Sequence, residues 1–184
     1  MDEFLSLFTA YQPTDPSELR SLARTLDLVN QFGEAAFGHD FLPGHVTASA
    51  LVVNPGLTHV LLNHHKKLNL WIQFGGHSDG LSDVRATAMR EAREESGLSS
   101  LAFYPGLDIF DVDVHAIPAY GHTNAHVHHD IRFLLTADLA EPFSVSAESN
   151  DLKWVRLEDI EQYNHEPSFH RMLAKVINLR HVKT

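Results

Sequence analysis

One stretch limits this chain more than any other. The apolar run Trp71-Ile72-Gln73-Phe74 meets Gly75-Gly76, and soon afterwards a helical pattern begins that stops only at Gly97. The spacing predicts a short strand, a glycine turn and a helix over about 82–96. On that helix Val84, Ala88 and Ala92 form an apolar stripe, while Glu91, Glu94 and Glu95 fall within roughly 100° of one another. Three carboxylates therefore share one face at the rim of a buried stripe. Like charges held so close raise one another's pKa unless a cation neutralises them. Oxygen ligands of this kind suit Mg²⁺, with Mn²⁺ as the alternative. Arg90 stands four residues before Glu94, where it can pair with that carboxylate, and the two glycines let the backbone approach a metal or phosphate unobstructed.

The rest of the chain reads as strands with helices inserted singly. Val46–Val53 and His59–Leu62 are strand-like around the turn Asn54-Pro55-Gly56. Further strands fit 107–117, 127–137 and Leu152–Val155, and helices fit 157–163 and 167–180. This alternation predicts an α/β (α+β) fold in which helices cover a mixed sheet. Ahead of it, Asp15 as N-cap, Pro16 at the first helical position and Gly33 at the end define a helix over about 16–32, with Leu19, Leu22, Leu26 and Val29 as its apolar stripe. That stripe is expected to pack on the main domain or on a second copy of the chain. The expected organisation is a helical extension over 1–44 and a domain over 45–184.

Composition removes several functions. With 14 Lys+Arg against 24 Asp+Glu the net charge is −10, which opposes a nucleic-acid polymer but allows a small phosphorylated ligand if a cation mediates. Absence of cysteine excludes disulfides, thiolate zinc sites and cysteine nucleophiles. No apolar run reaches the length of a membrane span and the N-terminus lacks a signal-peptide pattern, so a soluble cytoplasmic protein is expected.

The segment Gly76 to Leu98 resembles the box of the Nudix hydrolase family. Its second half, Arg90-Glu91-Ala92-Arg93-Glu94-Glu95-Ser96-Gly97-Leu98, keeps the family spacing, and Ser82 stands where the box has its first Glu, with Asp79 and Asp83 nearby. Weaker likeness extends over about 45–160. The resemblance implies an α/β/α sandwich and hydrolysis of a nucleoside diphosphate linked to another moiety, such as a nucleoside triphosphate, a nucleotide sugar or a dinucleotide. It also implies that Glu94 and Glu95 ligate the metal with the Gly75 carbonyl, that Glu91 is a further ligand or the base, and that Arg90 orients them. Glu148 is the candidate for a further acid from outside the box, its alternative being an ordinary solvated loop carboxylate, and Glu141 is its rival. The alternative is a catalytically silent Nudix-fold module that binds a nucleotide or a protein. Isomerisation of an isoprenoid diphosphate is disfavoured by the missing cysteine.

Histidine is the remaining signal, at 14 residues. His77 follows the glycine pair and is expected either to touch phosphate or to cap its loop. Strand alternation sets His126, His128, Asp130 and Arg132 on one face, away from Val127, Ile131 and Phe133. His126 and His128 with Asp130 are expected either to bind a transition metal or substrate phosphates, or to form an ordinary polar sheet face; His122 lies near them in sequence. Trp71 is expected to pack under the Gly75 loop rather than to stack on a base.

Overall fold

The structure is a computed structural model describing residues 1–119 and 124–183; His122 lies outside them. Its helices are α1 (Asp2–Ser6), α2 (Pro16–Phe32), α3 (Val84–Ser96) and α4 (Pro167–Lys183). Its strands are β1 (Gly44–Val53), β2 (His59–His65), β3 (Leu70–Ile72), β4 (Phe74–His77), β5 (Ala102–Phe103), β6 (Asp111–Ile117), β7 (His126–Thr136) and β8 (Ser149–Arg156). The strands hydrogen-bond in the order β3-β2-β1-β7-β5, with β4 on β1, β6 on β7 and β8 on β2. Among the described residues no helix is long and apolar enough to cross a membrane.

The chain divides into two compact units. The first comprises Met1–Ser49, Gly75–Ala88 and Asp108–Phe133. In it β6 pairs antiparallel with β7, from Asp111 opposite Arg132 to Ile117 opposite His126. The Asp15 side chain caps α2 by accepting from the Ser17 and Glu18 amides at 2.8 and 3.1 Å, which fixes the helix start where the sequence places it. The predicted stripe of α2 is only partly buried: Val29 is buried and Leu22 and Leu26 are half-buried, but Leu19 is 48% exposed, and Glu18, Ser21, Thr25 and Leu28 are buried as well. The reason is polar complementarity. Ser21 Oγ accepts the Val114 amide of β6 at 3.2 Å, and Thr25 Oγ1 meets His129 Nδ1 of β7 at 3.1 Å. These partners satisfy hydroxyls that burial would otherwise penalise.

The polar face of β7 carries a second departure. Asp130 does not join the histidines as a ligand. It accepts from Arg132 Nε at 2.9 Å, Ser49 Oγ at 2.8 Å and Thr47 Oγ1 at 3.2 Å. Arg132 also reaches Asp111 at 3.4 Å and Asp113 at 3.2 Å. A buried guanidinium needs such compensation, and the surrounding carboxylates hold its pKa up despite burial.

The second unit comprises Ala50–Phe74, Met89–Leu107 and Leu134–Thr184. Here β2 is paired on both sides, with β8 from His59 opposite Arg156 to His65 opposite Ser149, and with β3 from Asn63 opposite Ile72 to His65 opposite Leu70. Its interior is formed by Val52, Val60, Leu61, Leu62, Leu135 and Leu152 among others. The strand predicted as Trp71–Phe74 is two strands, broken at Gln73, and the one predicted over 107–117 begins at Asp111 after a turn in which Gly106 has φ 79°.

Candidate active site

The box helix grades its three acids by burial. Val84, Ala88 and Ala92 are fully buried, so the predicted apolar stripe faces inward. On its edge Glu95 is 7% exposed, the Glu91 carboxylate is largely covered, and Glu94 reaches solvent. Arg90 Nη1 donates to Glu91 Oε1 at 2.7 Å and to Glu94 Oε2 at 3.2 Å, so one guanidinium ties two carboxylates together. Glu95 Oε2 accepts from Asn63 Nδ2 of β2 at 2.7 Å. The other amide atom, Asn63 Oδ1, is buried with no hydrogen-bond partner among the described residues, which leaves an oxygen lone pair beside the acids. The sequence signal for Asn63 was an amide directly after the apolar run Val60-Leu61-Leu62.

Electrostatics agree with the geometry. Burial raises the Glu91 pKa above its ordinary value, and Glu94 and Glu148 push it the same way while Arg90 opposes them. Glu148 thus lies within electrostatic reach of Glu91. Its own backbone carbonyl accepts the Lys66 amide at 2.9 Å, which anchors the loop that presents it. The rival acid is engaged elsewhere: Glu141 accepts from the Ser99 amide and hydroxyl at 2.7 and 2.6 Å and from the Ser100 amide at 3.1 Å, securing the segment after α3. Trp71 stacks on His64 with ring centroids 4.8 Å apart and meets Tyr163 edge-on at 5.6 Å.

Two glycines, one just before the box and one near its end, are needed on steric grounds. A Cβ at Gly75 would lie 2.5 Å from Ser49 Cβ and 2.8 Å from the Ala48 carbonyl oxygen, because β4 runs against β1 there. Gly97 has φ 70°, and a Cβ on it would lie 2.1 Å from Ser144 Oγ. Ser144 is held in that place by its amide, which donates to the Ser96 carbonyl at the end of α3 at 2.8 Å. At the other end of α3, Asp83 caps the helix through the Ala86 amide at 2.9 Å. Asp79 approaches His39, with 3.6 Å between Oδ1 and Nδ1. The two acids flanking Ser82 in sequence therefore have structural partners.

A model of the NUDIX domain matches residues 43–176. The chain belongs to the Nudix family. Solved structures of similar fold include an Ap4A hydrolase of C. elegans (19% identity, TM-score 0.59, 73% of this chain and 96% of that one), a Nudix-family hydrolase of Clostridium perfringens (24%, 0.53, 73% and 97%), and the dihydroneopterin triphosphate pyrophosphohydrolase of E. coli (15%, 0.54, 72% and 95%). No curated protein matches the chain. Family and box together make this Nudix chain a hydrolase of the pyrophosphohydrolase type.

The Nudix chain also gathers the histidines that its sequence scattered. His77, His126 and His128 are brought together with His45, whose position in β1 sequence reasoning missed; only pairing between distant strands places it there. In the first unit His45 lies beside His126 and His128 with ring centroids 5.0 and 4.9 Å away, and beside His77 at 5.1 Å. His39 stacks on His77 at 3.8 Å. Burial lowers the pKa of His77 to about 4 and of His128 to about 2, with repulsion from neighbouring imidazoles adding to it, and lowers that of His45 as well. The backbone of Phe41 opposes the shift at His45.

Proposed function

We propose that this Nudix chain is a metal-dependent pyrophosphohydrolase acting on a nucleoside diphosphate linked to another moiety. The observation that carries the reading is the graded trio Glu91, Glu94 and Glu95 on α3, bridged by Arg90 and buttressed by Asn63. The donor set suits a hard cation: three carboxylates and Asn63 Oδ1, which has no partner among the described residues, are all oxygens, which Mg²⁺ and Mn²⁺ prefer. Glu94 and Glu95 would hold the ion. When bound, such an ion neutralises phosphate charge and lowers the pKa of coordinated water.

The chain's own groups have separate tasks in this reading. Asn63 fixes Glu95 by donating to one carboxylate oxygen. Arg90 fixes Glu91 and Glu94 relative to each other, so that neither must reorganise when substrate arrives. Glu91, made more basic by burial, accepts a proton from the attacking water as general base. Glu148 raises the basicity of Glu91 further and is the second acid. The absent first box acid, Ser82, leaves these four carboxylates to do the work.

A hydrolysis screen over nucleoside triphosphates, nucleotide sugars and dinucleotides with Mg²⁺ and Mn²⁺, with products identified by mass spectrometry, tests the reading. A mononucleotide product from cleavage at a phosphoanhydride supports it. Absence of turnover across the panel overturns it in favour of a silent nucleotide-binding module.

A further inference from the structure

We propose that His45, His77, His126 and His128 form a second metal centre, made of no residue of the carboxylate set, that takes a late first-row divalent ion, Zn²⁺ foremost, as a structural clamp. All four residues lie in the first unit. Their placement follows from strand pairing. His126 and His128 are alternate residues of β7 and share a face. β1 and β4 bring His45 and His77 beside them, β1 being the neighbour of β7 and β4 the neighbour of β1. The approach of β1 to β7 is close: a Cβ at Gly44 would lie 2.4 Å from the Val127 carbonyl oxygen, and the Val127 amide donates to the Pro43 carbonyl at 3.1 Å.

Four observations point to a cation. One ring nitrogen from each residue can be chosen so that all four lie within 4.8 Å of one another. His45 is 1% exposed, and its ring approaches the Phe41 backbone but completes no hydrogen bond of ordinary geometry among the described residues, so this buried polar ring lacks its full set of partners. His126 Nδ1 lies 2.8 Å from the Asn124 carbonyl oxygen, which makes that nitrogen the donor and turns Nε2 toward the other rings. Ligating histidines are oriented by such a bond from their other nitrogen. That Nε2 stands 3.0 Å from His128 Nε2, close to the edge of about 3.3 Å expected for two nitrogens bound at about 2.05 Å to one tetrahedral ion.

The chemistry selects the ion. Imidazoles whose ring nitrogens converge can each turn a lone pair inward, an arrangement that a cation accepts and an anion does not. Mg²⁺ and Ca²⁺ require oxygen donors, whereas imidazole suits Zn²⁺, Cu²⁺ and Ni²⁺. Four nitrogens fill a tetrahedral shell and leave no open coordination position, which marks the role as structural. The ion would tie β1, β4 and β7 together. His39, stacked on His77 and paired with Asp79, steadies one ring from outside the shell.

The experiment uses full-length protein stripped by chelation and then titrated with Co²⁺ or Zn²⁺ in the presence of millimolar Mg²⁺. The expected results are one equivalent of Zn²⁺ retained per chain, intense visible absorption from four-coordinate nitrogen-ligated Co²⁺, and a melting temperature raised by several degrees with Zn²⁺. The double variant His126→Gln with His128→Gln should lose the absorption and weaken Zn²⁺ binding by more than the roughly 100-fold that loss of an outer-shell partner costs. Glu94→Gln with Glu95→Gln should retain both. No stoichiometric Zn²⁺, or the pale spectrum of six-coordinate Co²⁺, overturns the proposal and leaves a hydrogen-bonded imidazole cluster. Zn²⁺ binding lost in the glutamate variant and kept in the histidine variant overturns it too. If the histidine double variant fails to fold, the Co²⁺ spectrum of the unsubstituted protein decides.

Discussion

The acids of α3 and the imidazoles of β1, β4 and β7 meet similar demands by opposite routes. The acids come from one helix, within five residues of one another, and their relation is set by helical geometry before any tertiary contact forms. The imidazoles come from three strands and from positions as far apart as 45 and 128, and their relation exists only once the sheet is paired. One group is hard, oxygen-donating and open toward solvent at Glu94; the other is softer, nitrogen-donating and closed around a ring that is nearly inaccessible. The difference teaches that a reactive surface can be encoded locally, whereas a structural cluster is encoded by topology and can be read only after folding.

The largest expected effect breaks the local side of this contrast. Glu95→Gln keeps the size of the side chain and its contact with Asn63 but removes the buried charge. It should lower kcat at least about 100-fold, which corresponds to about 2.7 kcal/mol of barrier, while thermal melting shows an intact fold. Near-normal turnover in a folded variant would remove Glu95 from the reaction.

A smaller effect sharpens it. If Asn63 acts by holding Glu95, Asn63→Ala should lower kcat about tenfold, or about 1.4 kcal/mol, with little change in KM, and raising the Mg²⁺ concentration should restore part of the loss. A uniform loss that Mg²⁺ does not relieve would make Asn63 a packing residue only. Ser82→Glu should change activity less still, by under about tenfold, because Asp83 already secures the start of α3. A large gain would show that the missing box acid limits the enzyme.

The local elements were legible because their determinants are short-range. The Asp15-Pro16 start and the Gly33 stop of α2, the box helix and its Arg90–Glu94 pair could all be read from spacing. What could not be read had partners far along the chain. The buried face of α2 turned toward Ser21 and Thr25 because Val114 and His129 offer them hydrogen bonds, and leucine periodicity carries no trace of that. Asp130 looked like a ligand until Arg132 and the hydroxyls of Ser49 and Thr47 claimed it. The two-residue strand β5 is too short for any pattern.

The smallest expected effect concerns the acid outside the catalytic group. Hydrogen bonds from Ser100 and Ser99 hold the Glu141 carboxyl down to about 2, from an ordinary value of 4.5. A carboxyl depressed by folding contributes stability that is fully present above the ordinary value and lost as pH falls toward the folded one. Glu141→Gln should therefore lower the melting temperature slightly at neutral pH, and the gap to the unsubstituted protein should close between about pH 4.5 and 2. A gap independent of pH would mean that the amide loses shape complementarity rather than charge.

Gly97 and Ser144 also restrict how this lineage can change. Any side chain at 97 meets two separate obstacles, a left-handed backbone and the Ser144 hydroxyl. Ser144→Ala removes the nearest obstructing atom but leaves φ at 70°, a region that asparagine tolerates better than alanine. Gly97→Asn should therefore be less damaging after Ser144→Ala than before it, whereas Gly97→Ala should remain strained in both backgrounds. Descent with substitution at the box glycine is in this way made contingent on history: the permissive step lies 47 positions away, in a loop that no box pattern includes.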